Sequence, residues 1–125
     1  MSGMGAHPGM GAYSPSKAAL ISLCQVLAQE WACDGINVNT VSPGMIRTPL
    51  TQKVYENNQI AKERAALVPW GRVGNPEDIS NVISFLLSPE ANYITGQNIL
   101  VDGGFVDSLY RHIPGLPDSS EIEKT

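Results

Sequence analysis

Apolar and polar positions change rhythm several times along the chain. The first twelve residues follow no period and are dominated by Gly, so they read as a loop. A helical rhythm begins at Tyr13 or Ser14, where Ser14 and Ser16 can cap and Pro15 suits a first turn. Leu20, Leu23, Cys24, Leu27 and Trp31 then recur at helical spacing as one apolar stripe, and Asp34-Gly35 ends it. The next six residues, INVNTV (36–41), alternate with a period of two and are rich in β-branched side chains, which predicts a strand closed by Ser42-Pro43-Gly44.

Residues 48–69 are polar and mixed, with helical propensity over 59–68. Asn75-Pro76-Glu77-Asp78 is a helix start: a capping Asn, a first-turn Pro, and two carboxylates near the positive end of the dipole. Ile79, Val82, Ile83, Leu86 and Leu87 are its expected buried face. NILVD (98–102) predicts a second strand, ended by Gly103-Gly104. Two strands joined by a long helical crossover should be parallel. A parallel sheet is normally covered on both faces, which two strands cannot sustain, so further strands are expected beyond these residues.

Composition narrows the class. The chain has 125 residues, 42% apolar and 16% charged, enough for one domain with a core. Its net charge of −4 argues against a nucleic-acid partner, whose phosphates call for clustered Lys and Arg. No apolar run approaches the roughly 18 residues of a membrane span, and the N-terminus lacks signal-peptide character. A cytoplasmic protein is expected. Cys24 and Cys33 fall on one predicted helix. A rise of about 1.5 Å per residue parts them by roughly 13 Å, beyond the roughly 7 Å limit of a disulfide. His7 and His112 stand apart from any ligand cluster, so no metal site is expected.

The chemistry concentrates at Tyr13 and Lys17, four residues apart and therefore on one helix face. A phenol ordinarily ionises near pH ~10, too high for efficient acid–base work at neutral pH. An ammonium one turn away and the positive end of a helix both favour the phenolate. Such a pair can move a proton to or from an alcohol or carbonyl oxygen. The spacing alone also fits a bland alternative, a Tyr opening a helix beside a solvated Lys.

The surroundings decide between these. AYSPSKAAL, then INVNTVSPGMIRTP, then GRVGNPEDISNVISFLLS and YITGQNILVDGG stand in one order over residues 11–105. Together they resemble the C-terminal half of a short-chain dehydrogenase/reductase. The resemblance implies an α/β fold, the C-terminal half of a doubly wound Rossmann-like parallel sheet. It makes residues 1–105 the C-terminal part of a dinucleotide-binding domain and residues 106–125 a tail. It further implies hydride transfer between NAD or NADP and a small-molecule alcohol or ketone, in a homo-oligomer. By position, Tyr13 matches the family's acid/base, and Lys17 the residue that bonds the nicotinamide ribose. Pro43 and Gly44 match the turn beside the nicotinamide. The Ile46 backbone and the Thr48 hydroxyl match positions that hold the carboxamide and a nearby phosphate. Residues 48–73 match the substrate lid, where Tyr55 and Trp70 either face substrate or simply pack.

Parts of the family pattern have no match. Gly3, Gly5, Gly9 and Gly11 follow no strand and are not spaced as the dinucleotide fingerprint requires. The residue that selects NAD or NADP and the active-site Asn have no counterpart. Counting back from Tyr13 by the family's spacing puts the catalytic Ser just before Met1, and Ser2 is out of register. The expectation is therefore the second half of an oxidoreductase, inactive alone. The alternative is a non-catalytic chain that associates with itself or with full-length relatives through its helices.

Overall fold

The computed structural model describes residues 1–115. After the glycine-rich loop come α1 (Tyr13–Trp31), β1 (Thr40–Pro43), α2 (Gln52–Tyr55), α3 (Asn58–Leu67), α4 (Pro76–Leu86) and β2 (Asn98–Val101). A short 3₁₀ turn at Leu109–His112 follows. Residues 116–125 of the expected tail lie outside the described residues.

The two strands are parallel, with Thr40 opposite Asn98 and Pro43 opposite Val101. The long crossover predicted this direction, and α4 packs against both strands. The first strand is displaced from its predicted place, beginning at Thr40 instead of Ile36 and running through Pro43. The reason lies in the asparagines of INVNTV. Asn37 Nδ2 donates to the Asn92 carbonyl at 3.0 Å and Asn39 Nδ2 to that of Ile94 at 2.7 Å. The Val38 amide donates to Thr95 Oγ1 at 3.0 Å, and the Gln97 amide to Asn39 Oδ1 at 3.0 Å. The alternation is real, but side chains and the facing loop replace the strand ladder.

Helix starts follow local chemistry to different degrees. Asn57 caps α3, its side chain accepting from the Gln59 and Ile60 amides at 3.0 and 3.2 Å. At α4 the Asp78 carboxylate accepts from the Asn75 amide at 2.7 Å, as the acidic start predicted. At α1 the expected caps do other work. Ala12 occupies the cap position, Ser14 Oγ accepts from the His7 amide at 3.1 Å, and Ser16 Oγ donates to the Tyr13 carbonyl at 2.7 Å. Gly35, at φ 73°, turns the chain out of the helical region, as Asp34-Gly35 predicted.

Burial is sparse. The buried apolar residues are Ala28, Tyr55, Val68, Val73 and Ala91. The stripe on α1 is only half covered: Cys24 and Leu27 are partly buried, while Leu20, Leu23 and Trp31 are 48%, 52% and 42% exposed. On α4, Ile79, Val82 and Leu86 are partly buried, but Ile83 is 43% and Leu87 83% exposed, so the predicted face is narrower than five residues. Two strands offer these helices too little surface to cover them.

Candidate active site

Tyr13 opens α1 and Lys17 follows one turn later. The Lys17 Nζ lies 5.5 Å from the Tyr13 ring centroid, within cation–π reach, so the ammonium and the phenol are neighbours as their spacing predicted. Both open onto a cavity of about 610 Å³ whose far wall is residues 40–44, including Pro43 and Gly44. That volume lies within the roughly 300–1,000 Å³ of small-molecule and cofactor sites. Its donors, an ammonium and a phenolic hydroxyl, suit ribose and carbonyl oxygens, so these residues fit one end of a nicotinamide dinucleotide.

Pro43 and Gly44 stand at the carboxyl end of β1, where ligands gather in open α/β sheets. Pro43 lacks an amide and sits at the last ladder position, while the Gly44 amide continues the pairing to the Val101 carbonyl at 3.0 Å. A Cβ on Gly44 would fall 2.6 Å from Asp102 Cα, so only glycine fits this crossing. Past it, Ile46 pairs with Gly74 as an isolated bridge. The Arg47 amide donates to the Gly74 carbonyl at 2.8 Å and the Gly74 amide to the Met45 carbonyl at 2.9 Å. In this parallel pattern the polar groups of Ile46 itself face the other way.

There Thr51, which sequence reasoning missed, joins the two expected contacts. Its hydroxyl donates to the Ile46 carbonyl at 2.9 Å, accepts from the Thr48 amide at 2.9 Å, and lies 3.2 Å from Thr48 Oγ1. The available signal was the Thr-x-x-Thr spacing, which allows a side chain to close a turn on the backbone. Ile46 and Thr48 line a second cavity of about 540 Å³, separated from the first by Pro43 and Gly44. The structure thus places Tyr13, Lys17, Pro43 and Gly44 around one cavity, and Ile46 and Thr48 around its neighbour.

Of the two aromatics of residues 48–73, Tyr55 is buried and Trp70 is exposed. Tyr55 is 6% exposed, flanked by the guanidinium carbons of Arg47 at 5.3 Å and Arg64 at 5.5 Å. Trp70 is 73% exposed, beside the loop carrying Asp102 and Gly103. Asp102 is engaged structurally, accepting from the Gly104 and Val106 amides at 2.9 and 2.8 Å. A bidentate pair joins Arg72 to Asp78 at 2.7 and 2.8 Å. The Arg72 hydrogen bonds, aided by the Asn75 amide, hold the Asp78 carboxyl well below the usual carboxylate range. Among the described residues no helix is long and apolar enough to cross a membrane.

Comparison with known proteins places this geometry. Residues 1–106 match the family model described as Enoyl-(Acyl carrier protein) reductase. A tropinone reductase homolog of Arabidopsis thaliana is 44% identical over 102 residues, 82% of this chain and 33% of that protein. The structure of 4-hydroxyisoleucine dehydrogenase complexed with NADH superposes with a TM-score of 0.80 at 39% identity, covering 85% of this chain and 44% of that one. A short-chain type dehydrogenase/reductase from Mycobacterium ulcerans gives a TM-score of 0.75 at 39% identity, covering 80% and 36%. The chain therefore spans between a third and a half of the proteins it matches. The family model over most of the chain, the parallel α/β architecture and these likenesses agree: the chain belongs to the short-chain dehydrogenase/reductase family.

Proposed function

We propose that these residues form the tyrosine–lysine side of an oxidoreductase that uses NAD or NADP and interconverts a small-molecule alcohol and its carbonyl. The observation that carries this is the convergence of Tyr13, Lys17, Pro43 and Gly44 on one cavity of about 610 Å³. The dinucleotide, when bound, gives or takes the hydride. The Tyr13 hydroxyl gives a proton to the substrate oxygen during reduction and recovers it during oxidation. The Lys17 ammonium, one turn from Tyr13, donates to the nicotinamide ribose. The turn at Pro43 and Gly44 walls the nicotinamide. The Ile46 backbone and the Thr48 hydroxyl, fixed by Thr51, hold the carboxamide and the adjacent phosphate.

The phosphate-binding turn of this reading lies outside the 125 residues, so catalysis belongs to a protein that supplies it. The free thiols of Cys24 and Cys33 suit a reducing, cytoplasmic setting. Fluorescence titration with NADH and NADPH tests the reading. The 125-residue chain alone should bind neither tightly. A chain extended upstream should bind one of them, and there Tyr13→Phe should abolish turnover while preserving binding. Turnover retained by Tyr13→Phe removes Tyr13 from proton transfer.

A second reading rests on a separate observation. Leu20, Leu23, Val26 and Trp31 on α1 are 42–52% exposed, an apolar surface that favours self-association or pairing with relatives. A monomer by size-exclusion chromatography across concentrations would sink it.

A further inference from the structure

Resting on the proposed oxidoreductase site, we infer that the substrate carries an anionic group, a carboxylate in the first instance, and that Arg64 on α3 receives it. The observation is a mismatch of charge. The chain holds 12 Asp and Glu against 8 Lys and Arg, yet among the described residues no carboxylate lines any of three adjoining cavities around the end of β1. Lys17 serves the first cavity, and Arg64 lines both the second and a third of about 720 Å³.

These cavities are continuous in their walls. The first and third share Ser2 and His7, and the second and third share Met45 and Arg64. Arg64 is partly buried, and among the described residues it has no carboxylate within ion-pair distance; the ion pair there is Arg72–Asp78. Its side chain is held at one edge, with the guanidinium carbon 5.5 Å from the Tyr55 ring centroid and Nη1 3.4 Å from the Tyr55 hydroxyl. A guanidinium so placed keeps donors for two further oxygens. The rest of the third cavity is largely apolar, with Leu67, Phe105, Val106 and Leu109 among its walls. One charged edge above an apolar floor fits a keto or hydroxy acid with a short hydrocarbon body. Asp78 and Asp102 line a separate neighbouring pocket and are engaged by Arg72 and by backbone amides, so at Arg64 the charge-assisted bond decides between acid and neutral analogue.

The test follows the Arg64 Nε–H resonance of the 125-residue chain during titration with three probes: levulinate, its neutral isostere levulinamide, and inorganic pyrophosphate. Levulinate should shift that resonance and bind at least about tenfold more tightly than levulinamide, as charge-assisted bonding implies. Arg64→Met should erase the difference between the two. Equal binding of both, binding of neither, or a difference that survives Arg64→Met overturns the inference. Pyrophosphate binding at Arg64 more tightly than levulinate also overturns it, because the anion received would then be the cofactor's diphosphate. The wild-type resonance decides even if the variant misfolds. Tyr13-dependent turnover in the extended chain without this preference defeats the inference alone. Levulinate bound at Arg64 of the 125-residue chain, with neither NADH nor NADPH bound by the extended chain, defeats the oxidoreductase reading alone.

Discussion

The helix bearing Tyr13 and Lys17 and the unit of β1, α4 and β2 are held by different means. The strand unit is stitched by its parallel ladder, by asparagine bonds to the 92–97 loop, and by the Arg72–Asp78 clamp at the start of α4. α1 has no side-chain cap, and of its nineteen residues Ala28 alone is buried. The cavity nevertheless takes Tyr13 and Lys17 from the loosely covered helix and its wall from the stitched unit. In this chain the position of Pro43 and Gly44 is fixed locally. The position of Tyr13 depends on whatever covers α1.

The largest separation between the two regions should come from Gly44→Ala. The added Cβ meets Asp102 Cα and Cβ, both at 2.6 Å, and neither belongs to a flexible side-chain end. The strand ends must part, which should cost about 2–3 kcal/mol in urea unfolding, in the range of overpacked cores. A change below about 0.5 kcal/mol would show that the crossing yields easily and that the turn is not rigidly set.

Asn39→Leu comes next and tests the region where the sequence pattern misled. Leucine improves the alternation of residues 36–41, so a reading from periodicity alone predicts a better strand. In the structure Asn39 bonds the Ile94 carbonyl and the Gln97 amide, and the variant leaves both without it. Urea unfolding should show a loss of roughly 2 kcal/mol.

This contrast explains what the sequence could show. The parallel direction, the α4 start at Asn75-Pro76 and the neighbouring placement of Tyr13 and Lys17 were legible because each follows from local chemistry or helix geometry. The true start of β1 was not, because its partner's ladder reaches only to Asn98 and loop carbonyls take the asparagine side chains instead. The Thr51 knot and the position of Arg64 were hidden too, since both depend on how residues 48–68 fold back toward the end of β1. Burial on α1 was overestimated because periodicity identifies an apolar face without identifying its cover.

Asp78→Asn should have a smaller effect, and one that depends on pH. The folded-state carboxyl is depressed, so the pair stabilises the chain above the ordinary unfolded value of about 3.9. That contribution fades as pH falls through this value toward the depressed one. The gap in thermal midpoint between wild type and Asp78→Asn should therefore be constant from pH 7 to 5 and narrow below about pH 4. The pair is solvent-exposed, so added salt should shrink the gap. A gap that widened on acidification would reverse the sign and break the assignment.

The smallest effect is expected from Leu23→Lys on α1. Leu23 is 52% exposed, so in the isolated chain the substitution should alter stability by less than about 0.5 kcal/mol. That near-zero value is informative only beside the Gly44 result, and it depends on what covers the helix. If two copies bury the face carrying Leu23, the charge must be desolvated, and the midpoint should fall by an amount that grows with protein concentration. If strands outside these residues cover the face, the loss should appear only in a longer chain and should not depend on concentration. Thermal melts of both chain lengths at two concentrations separate these cases. They show whether Tyr13 is positioned by its own fold or by a neighbour.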